Sequence, residues 1–149
     1  MRAVFLALAV GLVCPTAFAA SPGEASTALI KAENTWALHG PRSYEFTVRF
    51  HEFIYMYCTE LTFCVVGDKI HVRKPPDCRR SQDPKVLGTI PRLLRYARGL
   101  LRNSDPLDTT ADFRFDETTG VPYAFSVSSK TMEDAFSAFE VANFEVIAP

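Results

Sequence analysis

The sequence predicts an α+β fold: an antiparallel sheet of about six strands with two helices packed on one face, in the order helix, three strands, helix, three strands. Three observations predict it. Two segments space their apolar residues at the period of a helix, and others alternate apolar with polar residues as half-buried strands do. Short turns join neighbouring strands, and tight hairpins force antiparallel pairing. The 149 residues, 48% hydrophobic and 22% charged with a net charge of −1, suit one domain with a buried core. That balance excludes a disordered chain. Seven Gly and ten Pro without a period exclude a collagen-like or low-complexity one.

The N-terminus reads as a targeting segment. Arg2 precedes the uninterrupted apolar run Ala3 to Val13, and Ala17 and Ala19 occupy the positions a signal peptidase reads, so residues 1–19 are expected to be a cleaved secretory signal. The run falls short of the roughly 20 apolar residues that span a membrane. Lipidation at Cys14 is the alternative, against which Leu12 and Val13 are not the small residues such a site favours. Cleavage after Ala19 leaves a single domain over residues 20–149, not an integral membrane protein, expected in the periplasm or outside the cell.

The first helix is expected over Glu24 to Leu38, with Leu29 and Trp36 facing the core, Ser21-Pro22 as its start signal and Gly40-Pro41 as its stop. Tyr44, Phe46, Val48 and Phe50 then alternate with Glu45, Thr47, Arg49 and His51, which predicts a strand. Val65 to Ile70 reads as a hairpin, because Gly67 at the first central position of a two-residue loop suits a type II′ turn; Val66 then faces Lys69 and Cys64 faces His71. Residues 74 to 88 read as a connecting loop. Thr89 caps a second helix with Pro91 in its first turn. On its wheel Ile90, Leu93, Leu94, Ala97, Leu100 and Leu101 share one face, and Arg92, Arg95, Arg98 and Arg102 lie opposite. Phe113 and Phe115 open a second hairpin that turns at Glu117 to Pro122 and returns through Tyr123, Phe125 and Val127 between small polar residues. Lys130 to Ala138 is a polar connector, and Phe139 to Ile147 a last strand.

Loss of Cys14 leaves Cys58, Cys64 and Cys78 in an oxidising compartment, where one bridge and one free thiol is the simplest outcome. Continuing the hairpin register brings Cys58 opposite Asp77, beside Cys78, so Cys58–Cys78 ranks first. Cys64–Cys78 and Cys58–Cys64 follow, and Cys64 is otherwise the free thiol. A metal site of His51, Cys58, Cys64, His71 and Cys78 is the sharper reading of the same residues, but no closely spaced Cys pair announces one. A reactive Cys64 activated by His71 is weighed against a buried inert thiol, and the inert thiol is preferred.

No G-x-S-x-G, H-E-x-x-H, G-x-x-x-x-G-K-[ST] or G-x-G-x-x-G motif occurs, so no cofactor, metal or catalytic residue is assigned. Asp112, Asp116 and Glu117 read as a solvent-facing strand position and a turn rather than a carboxylate site. Phe50, Phe53, Ile54, Tyr55, Met56 and Tyr57 crowd more apolar side chains than one strand face needs, and core packing accounts for them unless one end is exposed. Charge is segregated. From His71 to Arg102 there are nine Lys/Arg and two Asp/Glu, and from Asn103 to Pro149 two Lys/Arg and nine Asp/Glu. A cationic helix suits anionic lipid headgroups or another envelope component, whereas a solvated helix face is the plain alternative. Nucleic acid is not an expected partner outside the cytoplasm, and the aromatics do not interleave with these cations in the way that stacking platforms require.

Several landmarks together resemble a family of short exported bacterial proteins, the domain-of-unknown-function family six-one-seven-four. They are Trp36, Tyr44-x-Phe46, Gly67-Asp68-Lys69-Ile70, Thr89-Ile90-x-x-Leu93, Phe115-Asp116 with Gly120-x-Pro122, and Asp134 ahead of Val141-x-Asn143-Phe144. They span about residues 30 to 146. Cys58 and Cys64 stand farther apart than the cysteines that family tends to show, so no bridge is carried over. The resemblance implies export and an α+β layout, and supplies no catalytic residue. The sequence therefore points to a small exported binding or interaction domain without catalytic activity, with an envelope protein as a candidate partner. Anionic-lipid binding through Arg92, Arg95, Arg98 and Arg102 is the second expectation, and a hydrolase with a non-standard site the third.

Overall fold

A computed structural model describes residues 19–52, 60–73, 87–132 and 135–148. The expected signal segment, Cys58, Cys78, the aromatic run from Phe53 to Tyr57 and most of the 74–88 loop lie outside the described residues.

Helix α1 (Pro22–His39) starts where the sequence places its stop-start signals. Ser21 and Glu24 form a capping box: the Ser21 Oγ accepts from the Glu24 N–H, and the Glu24 carboxylate accepts from the Ser21 N–H and Oγ, both at 2.8 Å. Ala25, Leu29 and Ala32 are buried, and Trp36 packs against the core. Just before the helix, Ala20 pairs with Ala111 through two backbone hydrogen bonds of 2.8 and 3.0 Å. Strands β1 (Ser43–Glu52), β2 (Glu60–Val66) and β3 (Lys69–Val72) follow, then α2 (Ile90–Arg102), β4 (Thr109–Phe115), β5 (Pro122–Ser129) and β6 (Phe136–Val146).

The six strands form one antiparallel sheet in the order β3-β2-β1-β6-β5-β4. Each half of the chain is a helix followed by a three-stranded meander, and the halves are joined where the first strand of one meets the last of the other. The β2–β3 register is Val66 opposite Lys69 and Cys64 opposite His71, as the turn chemistry predicts, and Gly67 at the turn has φ 57°. Strand β6 starts at Phe136, earlier than Phe139, because Ser137 and Ala138 complete ladder positions against β1 and β5.

One irregularity re-aims β6. Asn143 has φ 51°, and the β1–β6 register slips between Glu45 and Thr47, so two β6 residues, Asn143 and Phe144, oppose Phe46 alone. Strict alternation from Phe139 and Val141 would send Asn143 inward. The extra residue reverses the phase, and Phe144 instead joins Trp36 and Tyr44, with ring centroids 6.1 and 5.6 Å away.

Both helices cover the same face of the sheet. The core runs from Leu29 and Ala32 of α1 and Ile90, Leu93, Leu94 and Ala97 of α2 onto Phe46, Val48, Phe63, Phe125 and Phe139. Two contacts seat α2 on β1. The buried Tyr44 hydroxyl accepts from the Ile90 N–H at 3.2 Å, satisfying a donor at the helix start that would otherwise lack a partner, and Phe50 meets Tyr96 edge-on at 6.1 Å. Phe50, the described member of the aromatic run, is therefore core.

Candidate binding surface

With both helices on one face, no helix or strand among the described residues lies over the other face of the sheet. The residues alternating with the core positions line up there in cross-strand rows. One row reads Glu60, Arg49, Glu140, Ala124, Arg114 from β2 to β4, and the next reads His51, Ala138, Ser126, Asp112. Neighbours in a row stand about 5 Å apart, within reach of one another's side chains.

The face has two regions. Over β1–β3 the long side chains are paired: Arg49 Nε donates to Glu60 Oε2 at 2.7 Å, and Arg73 Nη1 lies 3.0 Å from Glu45 Oε2. The Glu60 carboxylate, with Glu140 next, raises the Arg49 pKa above its ordinary value. By register the Arg73–Glu45 pair crosses β2 above Thr62 and Cys64. Beneath it Thr47 and Thr62 share a hydroxyl hydrogen bond of 2.9 Å, and Thr47 is buried although it stands on the uncovered face. Cys64 is likewise only 8% exposed, and it is a free thiol. Cys58 and Cys78, with which the sequence could pair it or each other, lie outside the described residues.

Over β4–β6 the floor is made of small side chains: Ala138 on β6, and Ala124, Ser126 and Ser128 on β5. Longer side chains rise on both sides. His51 and Glu140 form one wall, with Nε2 and Oε2 4.0 Å apart, and Asp112 and Arg114 form the other. Arg114 lies over the Tyr123 ring at 5.7 Å from its centroid. The result is an open hollow of about 560 Å³ with Phe136 among its lining residues. Its chemistry is mixed: serine hydroxyls below, a carboxylate on each wall, and an imidazole and a guanidinium beside them. Ser126 stands two strands from His51, about 10 Å at the backbone, so the hydroxyl and imidazole are not placed as a hydrogen-bonded pair.

Asp112 therefore lines this hollow, whereas Asp116 is structural. Its Oδ1 accepts from the N–H and hydroxyl of both Thr118 and Thr119 at 2.6–3.0 Å, and these hydrogen bonds hold its carboxyl well below the usual range, at about 2. The turn so formed brings Gly120, φ 79°, against the backbone of α1. Among the described residues no group of three His, Cys, Asp or Glu is arranged to hold a metal ion.

The four arginines all lie on α2, away from the hollow. Arg95, Arg98 and Arg102 are exposed and Arg92 partly so, while Ile90, Leu93, Leu94 and Ala97 are buried, as the wheel predicts. Arg98 pairs with Glu33 of α1. Sequence reasoning did not find the hollow. Its one local signal was the small residues interleaved with Phe125 and Val127, which mark a floor only once β6 and β1 are known to lie beside β5. No helix among the described residues is long and apolar enough to cross a membrane. Comparison with family models, curated proteins and solved structures finds no match to this chain.

Proposed function

We propose that the protein is an exported, non-catalytic binding domain that holds its partner on the uncovered sheet face, in the hollow between the His51–Glu140 and Asp112–Arg114 walls. The observation that carries this reading is the floor of Ala124, Ser126, Ser128 and Ala138. A bare sheet face is ordinarily lined with long polar side chains, and four small ones in a block leave room for something else. Export rests on the expected signal segment and on the family resemblance. The walls fit an exposed peptide segment or small zwitterion, with a cationic group between Glu140 and Asp112 and an anionic group at Arg114.

A photo-crosslinking residue placed at Ser126 in the exported chain tests the reading. Discrete adducts that Ala138→Trp abolishes by filling the hollow are expected. Equal adducts from Asn34 on the helical side, or adducts that persist in Ala138→Trp, would refute it.

A further inference from the structure

The outer surface of the helical layer differs from the sheet face in how its cations are used. On the sheet face Arg49 and Arg73 each have a carboxylate partner, and Arg114 lies over the Tyr123 ring. On the helices, Arg92, Arg95 and Arg102 of α2 and Lys31 of α1 make no ion pair among the described residues. The acids of this layer are occupied: Glu33 by Arg98, and Glu24 by the capping box at Ser21. The arginines run from Arg92 to Arg102, about 15 Å along the helix axis.

A second, independent feature lies in the same layer. Ile30 and Leu38 of α1 are 50% and 78% exposed. With Asn34 they repeat every fourth residue, so they line up on the outward side of α1, opposite the buried Ala25, Leu29 and Ala32. The Arg98–Glu33 pair ties the helices side by side, which sets the apolar stripe of α1 next to the cationic stripe of α2. Unpaired cations beside bare aliphatic side chains are the requirements of a surface that lies in the headgroup region of an anionic bilayer: the charges meet phosphates, and Ile30 and Leu38 enter the acyl boundary.

We propose that the helical layer, through Arg92, Arg95 and Arg102 with Lys31, Ile30 and Leu38, docks the protein on anionic phospholipid. The sheet lies on the opposite side of the helices, so a docked molecule turns its hollow away from the membrane. This reading does not depend on what the hollow binds.

The test is partitioning of the purified full chain onto phosphatidylglycerol–phosphatidylcholine vesicles and onto pure phosphatidylcholine vesicles. The readout is the difference between the two, because the apolar run Ala3 to Val13 acts on both alike. At low salt the anionic vesicles are expected to bind more strongly. That excess disappears at about 1 M salt, where the Debye length is about 3 Å. Arg95→Gln and Arg102→Gln each reduce it about fivefold, and together about 30-fold. Leu38→Ser reduces binding to the anionic vesicles about fivefold, by loss of half-buried leucine area. Arg114→Gln, which removes a charge from the sheet face, and Ala138→Trp, which fills the hollow, leave the excess unchanged. Undiminished binding by the Arg95/Arg102 double variant overturns the proposal, as does an Arg114→Gln effect equal to that of Arg95→Gln, which would mean that net charge alone matters. Unchanged thermal melting of the Arg95, Arg102 and Leu38 variants, all at exposed positions, shows that a loss is not one of folding.

Discussion

Replacing Gly120 by alanine probes the contact that seats the β4–β5 turn on α1. Gly120 has φ 79°, and a Cβ there would lie 2.2 Å from the Ala32 carbonyl oxygen and 2.8 Å from the Trp36 nitrogen. Both are helix backbone atoms, so relief requires moving α1 rather than a side chain. A left-handed conformation costs a non-glycine residue about 1–2 kcal/mol. Forcing extra volume against a packed neighbour adds about 1–3 kcal/mol, for a total of roughly 2–5 kcal/mol. Gly67→Ala is the matched control: φ is 57°, but nothing lies within 4 Å of the added methyl group, so only the first cost applies. In a domain of this size 1 kcal/mol is worth about 3–5 °C of melting temperature. Thermal melts by circular dichroism should therefore place Gly120→Ala about 6–25 °C below the parent and Gly67→Ala about 3–10 °C below. Equal shifts for the two, or a Gly120→Ala melt within about 3 °C of the parent, would refute the packing argument.

Two further variants test buried and turn hydrogen bonds. Tyr44→Phe leaves the Ile90 N–H without its acceptor in the core and should cost about 1–3 kcal/mol in urea titration. Burial pushes the Tyr44 phenol up to about 12, so the stability it contributes is complete below its ordinary value near 10 and is lost as pH rises toward 12. The Tyr44→Phe variant should lack that alkaline loss, and an unchanged alkaline limb would sink the assignment. Asp116 behaves in the opposite sense: the threonine hydrogen bonds lower its carboxyl to about 2, so its contribution is complete above about 4 and is lost as pH falls toward 2. Asp116→Ala should cost about 1–2 kcal/mol at neutral pH, after allowance for solvent screening, and flatten the acid limb of stability against pH. Equal acid sensitivity in parent and variant would show that the turn does not depend on the ionised carboxylate.

Much of the fold is legible in the sequence because its signals are local. Ser21, Glu24, Thr89 and Pro91 act on the turn of helix beside them, and the Gly67-Asp68 turn sets the register of the two strands it joins. The arginine stripe of α2 is equally legible, since helix periodicity alone separates Arg95 and Arg102 from Leu93 and Leu94. The phase of β6 is not. Val141 and Phe144 are three residues apart, which no strand period brings to one face, and only the left-handed turn at Asn143 reconciles them.

Element identity, helix ends and hairpin register thus follow from residues within a few positions of one another, where propensity and periodicity act, and for these the sequence suffices. The pairing of β1 with β6 unites residues about 90 positions apart, and no local preference specifies it. That pairing places His51 and Glu140 in one wall and Ala138 between His51 and Ser126, so the hollow is a product of tertiary structure alone. The same holds for the Arg98–Glu33 contact, which sets two helices from opposite halves of the chain side by side and turns separate stripes into one surface.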